Sequence, residues 1–143
     1  MPRIVKDMQL EMIRKLAEAD DPVTLSEKAL ECFEIYRRYA KRIILGEVTP
    51  EDLAITRVLS MSPEDYSMNV RHAIAARKLE TAGIKVEPGQ AVTYIITKTA
   101  TPIQLYKSDS YNLTKYLELI RKAADTIIGY LDRSIIHTLP TRT

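Results

Sequence analysis

The sequence predicts an α+β protein that is mainly helical. Three long segments repeat apolar residues at helical spacing, and short β-rich runs flank a Pro-Gly turn without a regular strand–helix alternation. The chain has 143 residues, of which 45% are hydrophobic and 28% are charged, so it can bury a core. We expect one main domain over residues 1–131 and a C-terminal tail over residues 132–143.

The three long helices are predicted over residues 4–19, 24–46 and 111–131. The second should begin with a capping box between Thr24 and Glu27, and Gly46 should follow its last turn. In the second and third helices we expect these side chains to face inward: Ala29, Phe33, Tyr36, Ala40, Ile43, Ile44, Leu113, Tyr116, Leu117, Ile120, Ala124, Ile127 and Ile128.

The middle of the chain predicts a small β structure beside a helix. Thr49 before Pro50 marks a helix or turn start, and LAITRVL (residues 53–59) predicts a strand. A further helix should be capped by Asn69 and end at Gly83. We expect residues 84–86 and 91–99 to form a hairpin around a type II turn at Pro88-Gly89, followed by a loop over residues 99–110.

No motif in the sequence points to catalysis. The four glycines are not clustered, and the two histidines, His72 and His137, are isolated. The single cysteine, Cys32, lies in a helical segment, where we expect a small buried hydrophobe. The acidic pairs occur at turns and helix starts, where carboxylates serve as caps. We therefore predict no catalytic residue, no metal and no cofactor within this chain.

Charge and hydropathy limit the partners and the location. The net charge is only +2, so binding to nucleic acid requires basic residues gathered on one face. The run Arg37, Arg38, Lys41 and Arg42 has two interpretations: a solvated face that complements the helix dipole, or a phosphate contact. No N-terminal signal or membrane-spanning apolar run is present, which predicts a cytoplasmic protein without membrane contact.

One stretch resembles a known family. Residues 64–98, EDYSMNVRHAIAARKLETAGIKVEPGQAVTYIITK, are similar to the thumb region of archaeal-type family B DNA polymerases. The similarity rests on Asp65-Tyr66, His72, an alanine-rich helix with Arg77-Lys78-Leu79, then Gly83, Lys85, Pro88-Gly89 and Tyr94-Ile95-Ile96. It extends more loosely over residues 3–130. The paired-aspartate motifs of the polymerase palm, the exonuclease carboxylate motifs and the Lys-x-Tyr motif before the thumb are absent from the sequence.

The resemblance implies a thumb-like helical body that binds primer–template duplex through phosphate and sugar contacts, without reading sequence. Catalysis would reside in a polymerase chain that carries the palm and exonuclease domains. By this resemblance, the present chain is the small subunit of a polymerase encoded in pieces, a degenerate relative or an excised domain. Its first Met slightly favours a natural short chain. The alternative function is a docking subunit with little DNA contact, which exposed apolar residues Ile4, Val5, Met8 and Met12 would support.

The resemblance also implies which residues contact DNA. They lie on the strand before the thumb tip, in the following loop and on the alanine-rich helix: Thr56, Arg57, Ser60, Ser67, Asn69, Arg71, His72, Arg77 and Lys78. Arg71 and Lys78 are seven residues apart and share a helix face, whereas Arg77 points away and is a candidate packing or partner residue. Asn69 could serve as a helix cap, a DNA contact or both.

Overall fold

The structure, a computed structural model, describes residues 1–107 and 110–129. The described chain forms two compact units. The helical unit contains Arg3–Val48 and residues 113–129, and the sheet unit contains Met1–Pro2 and the described residues between Thr49 and Asn112. The predicted tail, His137 and the domain boundary at residue 131 lie outside the described residues, so they stay predictions. The predicted fold class, α+β and mainly helical, is confirmed.

The helical unit packs three helices against one another: α1 (Arg3–Leu16), α2 (Pro22–Ile44) and α5 (Leu113–Ile128). Their shared core is apolar and contains Ile4, Val5, Met8, Met12, Ala29, Cys32, Phe33, Ile35, Tyr36, Tyr39, Ala40, Ile43, Tyr116, Leu117, Ile120, Ala123, Ala124 and Ile128. Cys32 is buried as predicted. The expected inward position of Ile44 is wrong, because this side chain is 39% exposed at the last residue of α2.

The predicted capping box of α2 is also wrong. The helix begins two residues earlier, at Pro22, and Asp21 is its N-cap. The amide of Thr24 donates to the Asp21 carboxylate at 2.8 Å, so Thr24 is the capped residue and not the cap. Pro22 does not break the helix, because a proline at the first helical position loses no intrahelical hydrogen bond. At the other end Gly46 has a φ of 74°, as predicted for a residue just past a helix.

The sheet unit contains α3 (Pro50–Leu53), β1 (Ile55–Val58), α4 (Arg71–Thr81), β2 (Ala91–Ile95) and β3 (Thr101–Pro102). Two short 3-10 helices, Pro63–Asp65 and Ile103–Leu105, lie between them. The three strands are antiparallel in the order β1-β2-β3, with Ile55 opposite Tyr94 and Tyr94 opposite Pro102. The small buried residues Ala73, Ala75 and Ala76 of α4 allow this helix to pack closely on β2 and β3.

The predicted hairpin of residues 84–86 with residues 91–99 is wrong. β2 pairs with β1 on one side and with β3 on the other, so neither edge is open to residues 84–86. Those residues leave the end of α4 as irregular chain, with Val86 buried and Ile84 46% exposed. The turn itself is confirmed: Gly89 has a φ of 90°, and the amide of Gln90 donates to the carbonyl of Glu87. The predicted loop over residues 99–110 is wrong in part, because it contains β3 and a 3-10 helix.

The predicted N-cap of α4 is wrong as well. Val70 occupies the N-cap position without a side-chain hydrogen bond, and Asn69 lies exposed in the preceding turn. That turn is closed by the Val70 amide, which donates to the carbonyl of Ser67 at 3.3 Å. Since the turn delays the start of the helix to Arg71, the N-cap position falls on Val70 and not on Asn69. The predicted end of α4 is confirmed by Gly83, with a φ of 92°.

Candidate nucleic-acid interface

The strand β1 directs its neighbouring side chains to opposite faces of the sheet. Ile55 and its partner Tyr94 are buried on the face that α4 covers, and Arg57 lies on that same face, nearer the strand end. Thr56 lies on the other face, where its hydroxyl is 2.9 Å from the hydroxyl of Thr93 across the strand pair. Among the predicted contacts, Thr56 and Arg57 are therefore separated by the sheet.

Tyr66 forms hydrogen bonds with Ser60, which lies in the chain segment just after β1. The amide N–H of Ser60 donates to the Tyr66 hydroxyl oxygen at 2.7 Å, and the two hydroxyl oxygens are 2.9 Å apart. Ser60 is exposed and Tyr66 is half-buried. The hydrogen bonds from Ser60 lower the pKa of Tyr66 below its usual range. Tyr66 thus holds Ser60 in one position at the surface.

His72 packs against the ring of Tyr66 from the first turn of α4. The two ring centroids are 5.0 Å apart, and the rings meet edge to face. Burial lowers the pKa of His72, and the positive charge of Arg57 lowers it further. The imidazole is therefore neutral near pH 7, and it lies within the electrostatic reach of β1.

Arg71, the first residue of α4, is exposed. Like Arg57, it carries a charge that affects the pKa of Tyr94. Burial raises the pKa of Tyr94, while the charges of Arg57 and Arg71 oppose that rise. We call this group of five residues the Tyr66 cluster: Arg57, Ser60, Tyr66, Arg71 and His72. Four of its members were predicted as DNA contacts from the sequence. Tyr66 was used only to recognise the family resemblance, although the Asp-Tyr pair beside a predicted contact loop was available as a signal.

The other predicted DNA contacts of the loop and of α4 lie outside the Tyr66 cluster. Ser67 and Asn69 are exposed in the short loop between Tyr66 and α4. Arg77 is half-buried and donates to the carbonyl of Pro63 at 2.8 Å, which agrees with its interpretation as a packing residue. Lys78 donates to the carbonyl of Ala100 at 2.8 Å and to the hydroxyl of Thr99 at 3.1 Å. Its ammonium group thus ties α4 to the chain between β2 and β3.

The basic run of α2 is largely engaged inside the helical unit. Arg37 pairs with Glu34, and Arg38 pairs with Glu11 of α1. The guanidinium groups of Arg38 and Arg42 both lie 5.3 Å from the centre of the Tyr39 ring. These contacts fit the interpretation of a charged face better than that of a phosphate site.

Charge in the sheet unit is balanced overall, with seven basic and seven acidic residues between positions 49 and 112. A surface for nucleic acid must therefore depend on local grouping, which the Tyr66 cluster supplies through its two arginines. Among residues 1–107 and 110–129, no group of three His, Cys, Asp or Glu side chains could hold a metal ion. No helix within those ranges is long and apolar enough to cross a membrane.

The fold of this chain occurs within a DNA polymerase. It matches the structure of the family B DNA polymerase from the hyperthermophilic archaeon Pyrobaculum calidifontis with a TM-score of 0.77. The match covers 92% of this chain and 18% of the polymerase at 22% sequence identity. At that identity the likeness establishes the fold.

The similar sequences are archaeal DNA polymerases. DNA polymerase 2 of Aeropyrum pernix is 28% identical over 106 residues, which is 74% of this chain. The DNA polymerase of Thermococcus kodakarensis is 27% identical over 115 residues, or 79% of this chain, and that of Thermococcus gorgonarius is 31% identical over 68 residues, or 48%. No family model matches the chain.

These matches confirm the predicted resemblance to archaeal family B DNA polymerases. They also show how small the shared part is. The chain spans 12% of the length of the Aeropyrum polymerase, 6% of the Thermococcus kodakarensis polymerase and 9% of the Thermococcus gorgonarius polymerase. The chain therefore corresponds to one segment of a polymerase of this kind.

Proposed function

We propose that this chain is the thumb-like part of a family B DNA polymerase and binds the primer–template duplex behind the site of synthesis. The observation that carries the proposal is the Tyr66 cluster, in which the Ser60–Tyr66 hydroxyl pair packs on His72 and the charges of Arg57 and Arg71 act on the neighbouring rings. These are the groups that contact phosphates in protein–DNA complexes. The matched fold within a family B polymerase supports the same function.

The cluster suits contacts to the DNA backbone better than base recognition. Arg57 and Arg71 make no ion pair with a carboxylate among the described residues, so their charges are available to phosphates. Contacts to phosphates orient a protein on a duplex but carry no sequence information. The proposed consequence is slower dissociation and steady placement of the primer end, whatever sequence has been copied.

The proposal leaves catalysis to polymerase domains outside the described residues. Phosphoryl transfer in polymerases depends on metal ions held by carboxylates, for which the described residues offer no group. We therefore propose a polymerase chain with palm and exonuclease domains as the catalytic partner, acting with this chain on cytoplasmic DNA in replication or repair.

The alternative of a docking subunit with little DNA contact is not favoured. It depended on an exposed apolar face formed by Ile4, Val5, Met8 and Met12. All four side chains are at most 2% exposed, because α1 packs them against α2 and α5. The expected docking face is therefore part of the core of the helical unit.

A salt titration tests the proposal. The dissociation constant for a primer–template duplex should be measured at several NaCl concentrations and pH 7.5. If Arg57 and Arg71 each neutralise one phosphate, the logarithm of the association constant K, the reciprocal of the dissociation constant, should fall with log salt with a slope of roughly −2, since each phosphate contributes about 0.9. An unrelated duplex sequence should give the same affinity.

The matched control carries the same loss of charge elsewhere. Replacing both Arg57 and Arg71 by alanine should flatten the slope to near zero. Replacing Arg37 and Lys41 of α2 by alanine should leave it unchanged. No binding by the unmodified chain at low salt, or equal effects of the two double variants, would rule out the proposed interface.

A further inference from the structure

The hydroxyl groups of Ser60 and Tyr66 form a hydrogen-bonded pair that has two O–H protons and shares one hydrogen bond. The Tyr66 oxygen accepts from the amide of Ser60 at 2.7 Å and shares one hydrogen bond with the Ser60 hydroxyl at 2.9 Å. Each hydroxyl carries one proton. The shared bond uses one of the two protons, whichever group donates it, so one O–H remains without a partner inside the pair.

We propose that the Ser60–Tyr66 pair is a phosphate-binding site, which presents this one O–H donor to an unesterified oxygen of the DNA backbone. The inference rests on the proposed duplex binding and adds an uncharged contact, through Tyr66, to the charged contacts of the arginines. The ligand is a phosphodiester oxygen, because an anionic acceptor makes the strongest hydrogen bond with a neutral hydroxyl.

Three features suit the pair to this role. Ser60 is exposed, so the remaining donor can reach a ligand. The amide of Ser60 fixes the Tyr66 oxygen, which removes part of the ordering cost of binding. Arg57 lies three residues before Ser60, so a phosphate drawn by the guanidinium arrives near the hydroxyls.

The pair also explains why neither hydroxyl alone should be essential. In Ser60→Ala the Tyr66 oxygen still accepts from the amide, and its own proton becomes available. In Tyr66→Phe the Ser60 hydroxyl is released to donate, and the ring contact with His72 is retained. Only the double variant lacks an O–H donor at this position.

A purely structural role for Tyr66 predicts a different pattern. If the tyrosine only holds the loop against α4, Tyr66→Phe should weaken binding as much as the double variant, and Ser60→Ala should have no effect. Displacement of Arg57 would also lower the salt slope. A double-mutant cycle therefore separates the two roles.

The experiment measures primer–template affinity for the unmodified chain, both single variants and the double variant at several salt concentrations. We expect each single variant to lose at most about threefold and the double variant about tenfold, the lower range for a hydrogen bond to a charged group. The slope of log K against log salt should stay unchanged, because a neutral donor releases no counterion. Ser26→Ala, which removes an exposed hydroxyl of α2, is the matched control.

Each other result has a definite meaning. Equal losses in Tyr66→Phe and the double variant, a reduced salt slope, or a double variant that binds like the unmodified chain would overturn the hydroxyl-pair site while duplex binding stands. Failure of the unmodified chain to bind duplex would overturn both proposals. Thermal unfolding of each variant shows whether the fold is retained, and a double variant of unchanged melting temperature that keeps full affinity counts against the site.

Discussion

The ring of Tyr66 meets the imidazole of His72 edge to face, with ring centroids 5.0 Å apart and ring planes at 79°. This contact joins the chain after β1 to the first turn of α4. It therefore gives the Ser60–Tyr66 hydroxyls and the imidazole a common surface. Burial and the nearby charge of Arg57 lower the pKa of His72, so the residue meets a ligand in its neutral form at pH 7.

The first prediction concerns the pH dependence of DNA binding. A bound phosphate favours the imidazolium form and raises the pKa of His72, against the opposing effect of Arg57. Affinity for duplex should therefore rise as the pH falls below about 6.5, by at most tenfold per pH unit for one proton. Dissociation constants at pH 7.5, 6.5 and 5.5, at constant ionic strength, measure this rise.

The control for that experiment uses the two histidines. His72→Gln should remove the rise in affinity, and His137→Gln should leave it intact. The same rise in His72→Gln would show that another group takes up the proton.

The second prediction concerns the free energy of unfolding, which should decline as the pH falls, whereas the affinity for DNA should rise. Because the pKa of His72 is lowered in the folded chain, the unfolded chain binds more protons in the window below its unfolded pKa of about 6.5. The contribution of His72 to the free energy of unfolding is present above that window and declines as the pH falls through it. Urea unfolding at pH 7.5 and 5.5 should show a smaller decline in His72→Gln than in the unmodified chain.

The third prediction separates Arg71 from Lys78, which share a face of α4 by sequence spacing. Arg71→Ala should reduce the salt slope by about 0.9 without loss of stability, since the side chain is exposed. Lys78→Met should lower the free energy of unfolding by about 1 kcal/mol, because its ammonium group binds the Ala100 carbonyl. If Lys78→Met instead reduces the salt slope as Arg71→Ala does, Lys78 also neutralises a phosphate.

The sequence predicted helices well because their signals are local. The apolar spacing of α1, α2 and α5 and the glycines at positions 46 and 83 correctly indicated the three long helices and two helix ends. The N-caps at Thr24 and Asn69 were wrong because several neighbouring residues can cap a helix, and the turn before it selects among them. In both places the N-cap position is held by a residue close by: Asp21, which caps α2 with its carboxylate, or Val70, which makes no capping hydrogen bond through its side chain.

Strand pairing was less predictable because it depends on distant parts of the chain. β2 finds its partners 33 to 39 residues earlier, in β1, and a few residues later, in β3, instead of in the segment just before the Pro-Gly turn. The same long-range pairing brings Arg57 near His72, which no local pattern contains. The sequence resemblance supplied four members of the Tyr66 cluster, but the role of Tyr66 depends on a hydrogen bond to Ser60 that only the fold creates.

The fourth prediction concerns Gly89 in the turn before β2. Its φ of 90° is strained for any L side chain, although a Cβ atom would meet no heavy atom within 4 Å. The Gly89 amide also donates to the carbonyl of Leu59, next to Ser60. Gly89→Ala should therefore cost about 1–2 kcal/mol through backbone strain alone. Gly89→Asn should cost less, because asparagine tolerates this conformation; equal losses in thermal unfolding would contradict the strain explanation.

The last prediction tests the burial of α1, on which the choice between DNA binding and docking partly depends. Met12 is fully buried, whereas Leu10, two residues before it, is 47% exposed. Met12→Ala should lower the free energy of unfolding by about 2–5 kcal/mol, through lost burial and the cavity that remains. Leu10→Ala should change it by about 0.5 kcal/mol or less, as is usual for surface positions. Urea unfolding followed by circular dichroism measures both values. Similar small losses in the two variants would mean that the Met12 face of α1 is available to a partner, and the docking alternative would regain its support.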